Sequence, residues 1–469
     1  MHKLLGLLCS PFATQGRSYT TQPQTIDSQQ PETLMTFNKG LHIGMSLAPT
    51  WLSGEGWRRA DSRVETLFGS DFAMDIARRS EAAHLDFVFR PDVSCVVADA
   101  LESGSGFTSL DPTVLLAALT RETHHIGLVS TVSTTFFPPY LVARQLQSLN
   151  WLSQGRVGWN IVTALQGHEN FGLAAMPSAE ERYARAAEFT DVVQRLWRSF
   201  PQQALRIDRE NGIYADPAQV QPIDHQGDFL QVQGPLNLPE QGARIPLIQA
   251  GASDSGRDFA ARVADIVFAP TPDQAAAADL RRDLSRRAEK HGRQADDIRL
   301  LPGLSLYLAP TRQQARELFM ETHARVDKAR KYAAIEKMIG IDLANWPSDR
   351  RIHAADLPPL QLLPGASRTH VSLLRRLIER ESLLPEELLM RPEVLSAAHW
   401  QVIGTVDDAV TEIADWAEAG VMDGFIAAPG GSFSSVYRFL DEVVPRLVER
   451  GLFRERYHGA TFAEHLQRY

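Results

Sequence analysis

The chain has 469 residues, 44% hydrophobic and 22% charged, with a formal net charge of -9, an ordinary globular composition that excludes a largely disordered or membrane-embedded protein. No basic stripe interrupts the acidic balance, so no nucleic-acid partner is expected. Two cysteines, Cys9 and Cys95, are too few for a disulfide framework and lack metal-ligand spacing; with no apolar run near the ~20 residues of a membrane span, the expectation is a cytoplasmic protein without a metal site or a membrane partner.

Residues 1–34 open with a short apolar patch, Leu4 to Cys9, and then turn rich in Gln, Thr, Ser and Pro. The patch is short for a signal segment, so this stretch is expected to be a disordered extension of a domain spanning 35–469. From there short β-like runs alternate with amphipathic helical stretches, the pattern of parallel βα units. Eight runs are predicted as strands: Leu41 to Ala48, Asp86 to Phe89, Ile126 to Ser133, Val157 to Thr163, Pro246 to Ala250, Ile266 to Ala269, Leu300 to Leu308 and Gly424 to Ala428. Eight closes an α/β barrel, the (β/α)8 TIM fold. The predicted helices run Asp71 to Ala83, Pro112 to Glu122, Tyr140 to Leu152, Glu180 to Arg198, Gly256 to Val263, Gln274 to His291, Thr311 to Lys331, Val406 to Ala419 and Ser435 to Arg450. Two stretches break the rhythm and are expected as insertions at the C-terminal face, a small antiparallel excursion at about 200–244 and a helical, Pro-containing segment at about 333–400. The second is expected to form a wall of the substrate pocket or an oligomer contact.

Chemistry in parallel barrels gathers at the carboxyl ends of the strands. The buried run ending near Thr163 therefore makes Asn160 and Thr163 site candidates, and His168 lies on the loop that follows. Asn160 and His168 are the candidate catalytic residues, because each can hydrogen-bond and histidine titrates near neutrality. His124 and His125 precede the third strand, at the opposite end, and are expected to be structural. The segment Gly251-Ala-Ser253-Asp-Ser-Gly256 joins a strand to a helix. Its amides and hydroxyls suit an anion at a helix N-terminus, and Ser253 equally suits a helix cap. Tyr183 alone reads as a half-buried packing residue, Asp92 as a strand-end carboxylate or loop cap, and Cys95 as a small packed residue. No Gly-x-Gly-x-x-Gly follows a strand, so a built-in dinucleotide site is not expected.

The run Arg156-Val-Gly-Trp-Asn-Ile-Val-Thr163, followed by Asn170-Phe-Gly172 and Arg182-Tyr183, resembles the signature of reduced-flavin-dependent monooxygenases related to the nitrilotriacetate, EDTA and dibenzothiophene sulfone monooxygenases, a branch of the bacterial luciferase-like superfamily. The likeness runs from about Leu41 to the end. It implies FMN, used as FMNH2 supplied by a separate NAD(P)H:flavin reductase, with O2 and a small organic substrate oxidised at a C-N, C-S or heteroatom position. It also implies a homodimer or homotetramer. Under it, Gly251 and Ser253 match the flavin-phosphate loop, Tyr183 becomes a flavin ligand and Thr131 contacts the ring system; Asp92 keeps the carboxylate of the family pattern, and a carboxylate at a strand end can accept the N3 proton of the ring. The chain departs from the pattern at Ala179, where the family often has a histidine, at Phe137-Pro138-Pro139-Tyr140, where some relatives carry a histidine immediately before the Pro-Tyr pair, and at Arg90-Pro91, which precede Asp92. A deazaflavin-dependent hydride-transfer enzyme of the same superfamily is the alternative. A barrel hydrolase, which would need two strand-end carboxylates, is a more distant one.

Overall fold

Strands and helices alternate along almost the whole chain. In this computed structural model the described residues are 40–467, apart from 97, 99, 100, 103, 107, 252, 326, 360–367, 396 and 397; the expected N-terminal extension and Cys9 lie outside them. The first four strands are β1 (His42–Ser46), β2 (Phe87–Arg90), β3 (Gly127–Ser133) and β4 (Val157–Val162). Two small antiparallel pairs follow, β5 (Leu205–Asp208) with β6 (Ile213–Ala215) and β7 (His225–Gln226) with β8 (Gln231–Val232). The remainder are β9 (Leu247–Ala250), β10 (Ile266–Ala269), β11 (Arg299–Leu308), β12 (Trp400–Gly404) and β13 (Gly424–Pro429). The runs in β1 and β3 are buried at every position, as strands covered on both faces must be.

Around the barrel the order is β1-β2-β3-β4-β9-β10-β11-β13, all parallel, and β13 returns to β1. The eight expected strands are therefore the eight that close. A ninth, β12, was not anticipated: Trp400–Gly404 pairs with Leu304–Leu308, the second half of the long strand β11, whose first half pairs with β10. The strand thus enters the wall at the carboxyl-terminal end, where β10 has already ended.

The helices between strands are α1 (Asp71–Ala82), α2 (Pro112–Leu119), α3 (Pro139–Leu152), α4 (Ala179–Arg198), α5 (Asp254–Val263), α6 (Gln274–Lys290) and α7 (Arg312–Thr322). Their starts carry ordinary caps: Asp111 accepts the amide of Val114 ahead of Pro112, and Ser178 that of Glu181. The helix expected from Thr311 to Lys331 is two helices. It stops at Thr322, and Asp327 caps a new one, α8 (Lys328–Ile339), by accepting the amide of Arg330 at 3.0 Å. Helix α8 opens the long insertion with α9 (Arg368–Glu381), α10 (Pro385–Leu389) and α11 (Pro392–Leu395). This region has its own apolar core, including Ile335, Ile339, Leu374, Ile378 and Leu388. After α12 (Val406–Glu418) come α13 (Phe433–Arg438), α14 (Val444–Glu449) and α15 (Phe462–His465). The expected single helix from Ser435 to Arg450 contains a π-helical turn, Phe439–Val443, just before Pro445, which has no N–H to donate. Among the described residues no helix is long and apolar enough to cross a membrane.

The amino-terminal end of the barrel is closed by the C-terminal segment. Phe462 lies beneath Gly127 and Gly158, where a Cβ on either glycine would come within 2.6 Å of its ring, and packs 5.4 Å from Phe87. Beside this floor Asp86, fully buried, accepts from His42 Nδ1 at 3.0 Å, from the Ile43 amide at 2.7 Å and from Arg454. Burial alone would raise its pKa, but Arg454 and His42 more than offset that and hold the carboxyl below its ordinary value. His124 and His125 are at this end too. Their amides donate to Glu81 and the His125 ring stacks on Tyr457, a structural role as expected. Removing the cation while keeping its bulk, Arg454→Met, leaves a buried carboxylate short of its partner and should cost about 3–5 kcal/mol, read as a lowered midpoint in urea denaturation.

Candidate active site

The residues singled out from the sequence lie on or after four consecutive strands of the barrel, β2, β3, β4 and β9: Thr131 and Asn160 are on β3 and β4, and the others are in the segments that follow these strands. On β3 the buried Thr131 donates its hydroxyl to the carbonyl of Arg90 at 2.7 Å and accepts the amide of Asn160 on β4 at 3.0 Å. This relay fixes the Asn160 side chain and leaves its Oδ1 buried with no partner among the described residues. Buried polar atoms are nearly always satisfied, so an acceptor held in this way is suited to a ligand donor. Next along the wall, Gln249 of β9 is equally buried. Its Nε2 donates to the carbonyl of Ala250 and its Oε1 has no partner among the described residues.

The turn after β9 is where Tyr183 meets the glycine-rich segment. Tyr183 projects from α4 and packs 5.9 Å from Phe259 of α5. Its hydroxyl stands 3.1 Å from where a Cβ on Gly251 would be and 2.7 Å from that position on Gly256. Both glycines therefore leave room for the phenol. Ser253 is the N-cap of α5, its Oγ accepting the Gly256 amide at 3.2 Å, so the capping role is realised. The hydroxyl is exposed and its proton is free for a second partner. Tyr183, Gly251 and Ser253 thus converge on one helix N-terminus, the arrangement that favours an anion.

Asp92 lies just beyond β2, half-buried, and accepts from Ser109 at 3.1 Å. Burial pushes its pKa up, and the neighbouring Asp111 adds to this against the opposing pull of Ser109 and Arg90. His168 is on a short 3-10 turn, His168–Phe171, with Nδ1 3.2 Å from the Glu169 carboxylate; no hydrogen bond joins it to Asn160. The same turn is clasped to the β2 loop, since Asn170 donates to the carbonyl of Ser94 at 2.8 Å. Cys95, beside Gly167 in this clasp, is half-buried, and burial raises its thiol pKa. Thr163 lies one residue past β4 and is buried. Above them Phe136 stacks on Phe171 at 4.5 Å and 8°, and Phe137 meets the same ring edge-on at 5.5 Å. The three rings form an aromatic wall.

Sequence reasoning missed Gln249 and His399. The second arrives with the unexpected strand β12, which it immediately precedes. Its signal was present in the alternation Trp400-Gln-Val-Ile, which reads as a strand once the helical insertion is set aside.

The luciferase-like monooxygenase family model matches residues 57–423. This chain belongs to that family. The monooxygenase is 34% identical over 451 residues to the dibenzothiophene-sulfone monooxygenase of Rhodococcus erythropolis (strain XP), covering 92% of this chain and 97% of that one. It is 32% identical over 446 residues to nitrilotriacetate monooxygenase component A of Aminobacter aminovorans, with the same two coverages. Among solved structures it is similar to a riboflavin lyase crystallised with modified FMN and riboflavin, with a TM-score of 0.77 and 29% identity over 91% of this chain and 96% of that one.

The contact between Tyr183 and the glycine turn is open to a direct test. A methyl added by Gly256→Ala should collide with the phenol and cost about 1–3 kcal/mol of stability. Most of that loss should disappear in Gly256→Ala combined with Tyr183→Ala, a coupling that a double-mutant cycle by chemical denaturation would measure.

Proposed function

We propose that this luciferase-like monooxygenase binds FMNH2 supplied by a separate NAD(P)H:flavin reductase and uses O2 to oxidise a small organic substrate at a C-N, C-S or heteroatom position. The observation that carries the reading is the convergence of Tyr183, Gly251 and Ser253 on the N-terminus of α5. An FMN phosphate suits that turn: the amides and hydroxyls are donors, the helix dipole favours negative charge, and Gly251 and Gly256 keep the approach open. From there an isoalloxazine ring would extend over the lumen toward Asn160, Thr131 and Asp92. Asn160 Oδ1 and Gln249 Oε1, without partners among the described residues, are acceptors for its N–H and ribityl hydroxyl groups, and Asp92 for the N3 proton. Bound reduced flavin supplies the oxygen-activating chemistry; the protein orients it and keeps water away. His168 is the proposed acid-base group of the loop above.

For the substrate, the rings of Phe136, Phe137 and Phe171 favour an apolar molecule over a polycarboxylate. Among the compounds for which relatives are named, an organosulfur substrate such as dibenzothiophene sulfone fits that wall better than nitrilotriacetate does.

Ser253→Ala tests the assignment. Loss of a charge-assisted hydrogen bond should weaken anaerobic FMNH2 binding by about 1–3 kcal/mol and leave reduced riboflavin, which has no phosphate, nearly unaffected. Equal losses for the two flavins would assign Ser253 to capping alone and remove the phosphate site.

A further inference from the structure

The proposed flavin residues occupy one arc of the barrel, β2-β3-β4-β9. The opposite arc, β10 and β11 with β12 entering alongside β11, holds one imidazole that the proposed function does not use. Ala398 is fully buried in the left-handed conformation, φ 58°, with its amide donating to the carbonyl of Pro392 at 2.9 Å. That conformation costs a residue with a Cβ roughly 1–3 kcal/mol and persists only where the surroundings impose it. Here it turns His399 inward.

Three observations locate the ring. It is stacked on Phe268 of β10, centroids 5.1 Å apart and planes 28° apart, and Phe268 in turn packs against Phe89 and the other lumen-lining residues. It fills the notch over Gly303 of β11, where a Cβ would lie 2.5 Å from Nδ1. Two residues before that glycine, Leu301 belongs to the same lumen cluster, so strand alternation turns Gly303 to the lumen as well. His399 Nδ1 is buried with no hydrogen-bond partner among the described residues. Burial, with a smaller push from His370, lowers the imidazole pKa to about 4. Near neutrality the ring is therefore uncharged, with one nitrogen a donor and the other an acceptor.

We propose that His399 is a further catalytic residue, whose imidazole would hydrogen-bond reduced flavin held in the lumen from the side facing the flavin arc and so limit the unproductive reaction in which FMNH2 and O2 give FMN and hydrogen peroxide. Nδ1 lies against Gly303, so Nε2, which makes no hydrogen bond among the described residues, is the nitrogen left to meet a ligand in the lumen. The proposal rests on the reading that this lumen binds reduced flavin.

Two measurements test it. The ring 15N resonances that vanish in His399→Phe should shift when the wild-type protein is saturated anaerobically with reduced FMN; resonances that stay in place would overturn the proposal. In air, without organic substrate, FMNH2-loaded His399→Phe should release peroxide roughly tenfold faster or more, in the range for loss of one hydrogen-bonding group at a reacting centre, while its melting temperature stays near that of the wild type and His399→Asn restores part of the restraint. Unchanged peroxide release in both variants would also overturn it. Wild-type protein that fails to bind FMNH2 at all would instead sink the underlying flavin reading, so the two failures are distinguishable.

Discussion

Asp86 is a charge taken fully out of water at the amino-terminal end of the barrel, and the architecture depends on how it is paid for. Its three partners come from β1, from the amide that begins the β1 ladder, and from Arg454 in the C-terminal segment. His42 also receives the side chain of Arg299 at the start of β11. Two barrel strands, a third two places along the wall from β1 and the tail of the chain are thus tied to one carboxylate. A buried pair contributes little net stability against an apolar replacement, yet it is intolerant of losing one member. Because the folded carboxyl has a lowered pKa, its contribution is complete above the ordinary carboxylate range and fades as pH falls through the folded value.

The eight closing strands were legible because each is an unbroken apolar run bounded by turns, and a strand covered on both faces can be little else. The helix from Thr311 to Lys331 was misread for a physical reason: both halves have helical periodicity, and only the cap at Asp327 reveals the break. Strand β12 was missed because its five residues follow a long helical insertion. Its pairing partner, the second half of β11, is nearly 100 residues earlier, so no local pattern announces it. His399 went with it, since a lone histidine acquires meaning only when the lumen is known.

The candidate site shows a similar division. Residues on the strands themselves, Thr131 and Asn160, lie side by side because β3 and β4 pair in that register. Tyr183 and Gly251 are far apart in sequence and meet through the packing of α4 on α5. Ser253 had two possible roles from its sequence position. The capping bond is present, and capping does not exhaust a hydroxyl that has a proton still to give. Chemical type was readable one residue at a time, whereas convergence required the closed barrel.

The floor supplied by Phe462 has a consequence for how the chain is made. A ribosome delivers β1 hundreds of residues before β13, its lateral neighbour, and before the aromatic ring that stoppers the lumen. During that interval the nascent half-barrel has two unsatisfied strand edges and an open greasy channel, both of which invite association with other chains. The barrel therefore cannot close until β13 and Phe462 have been made.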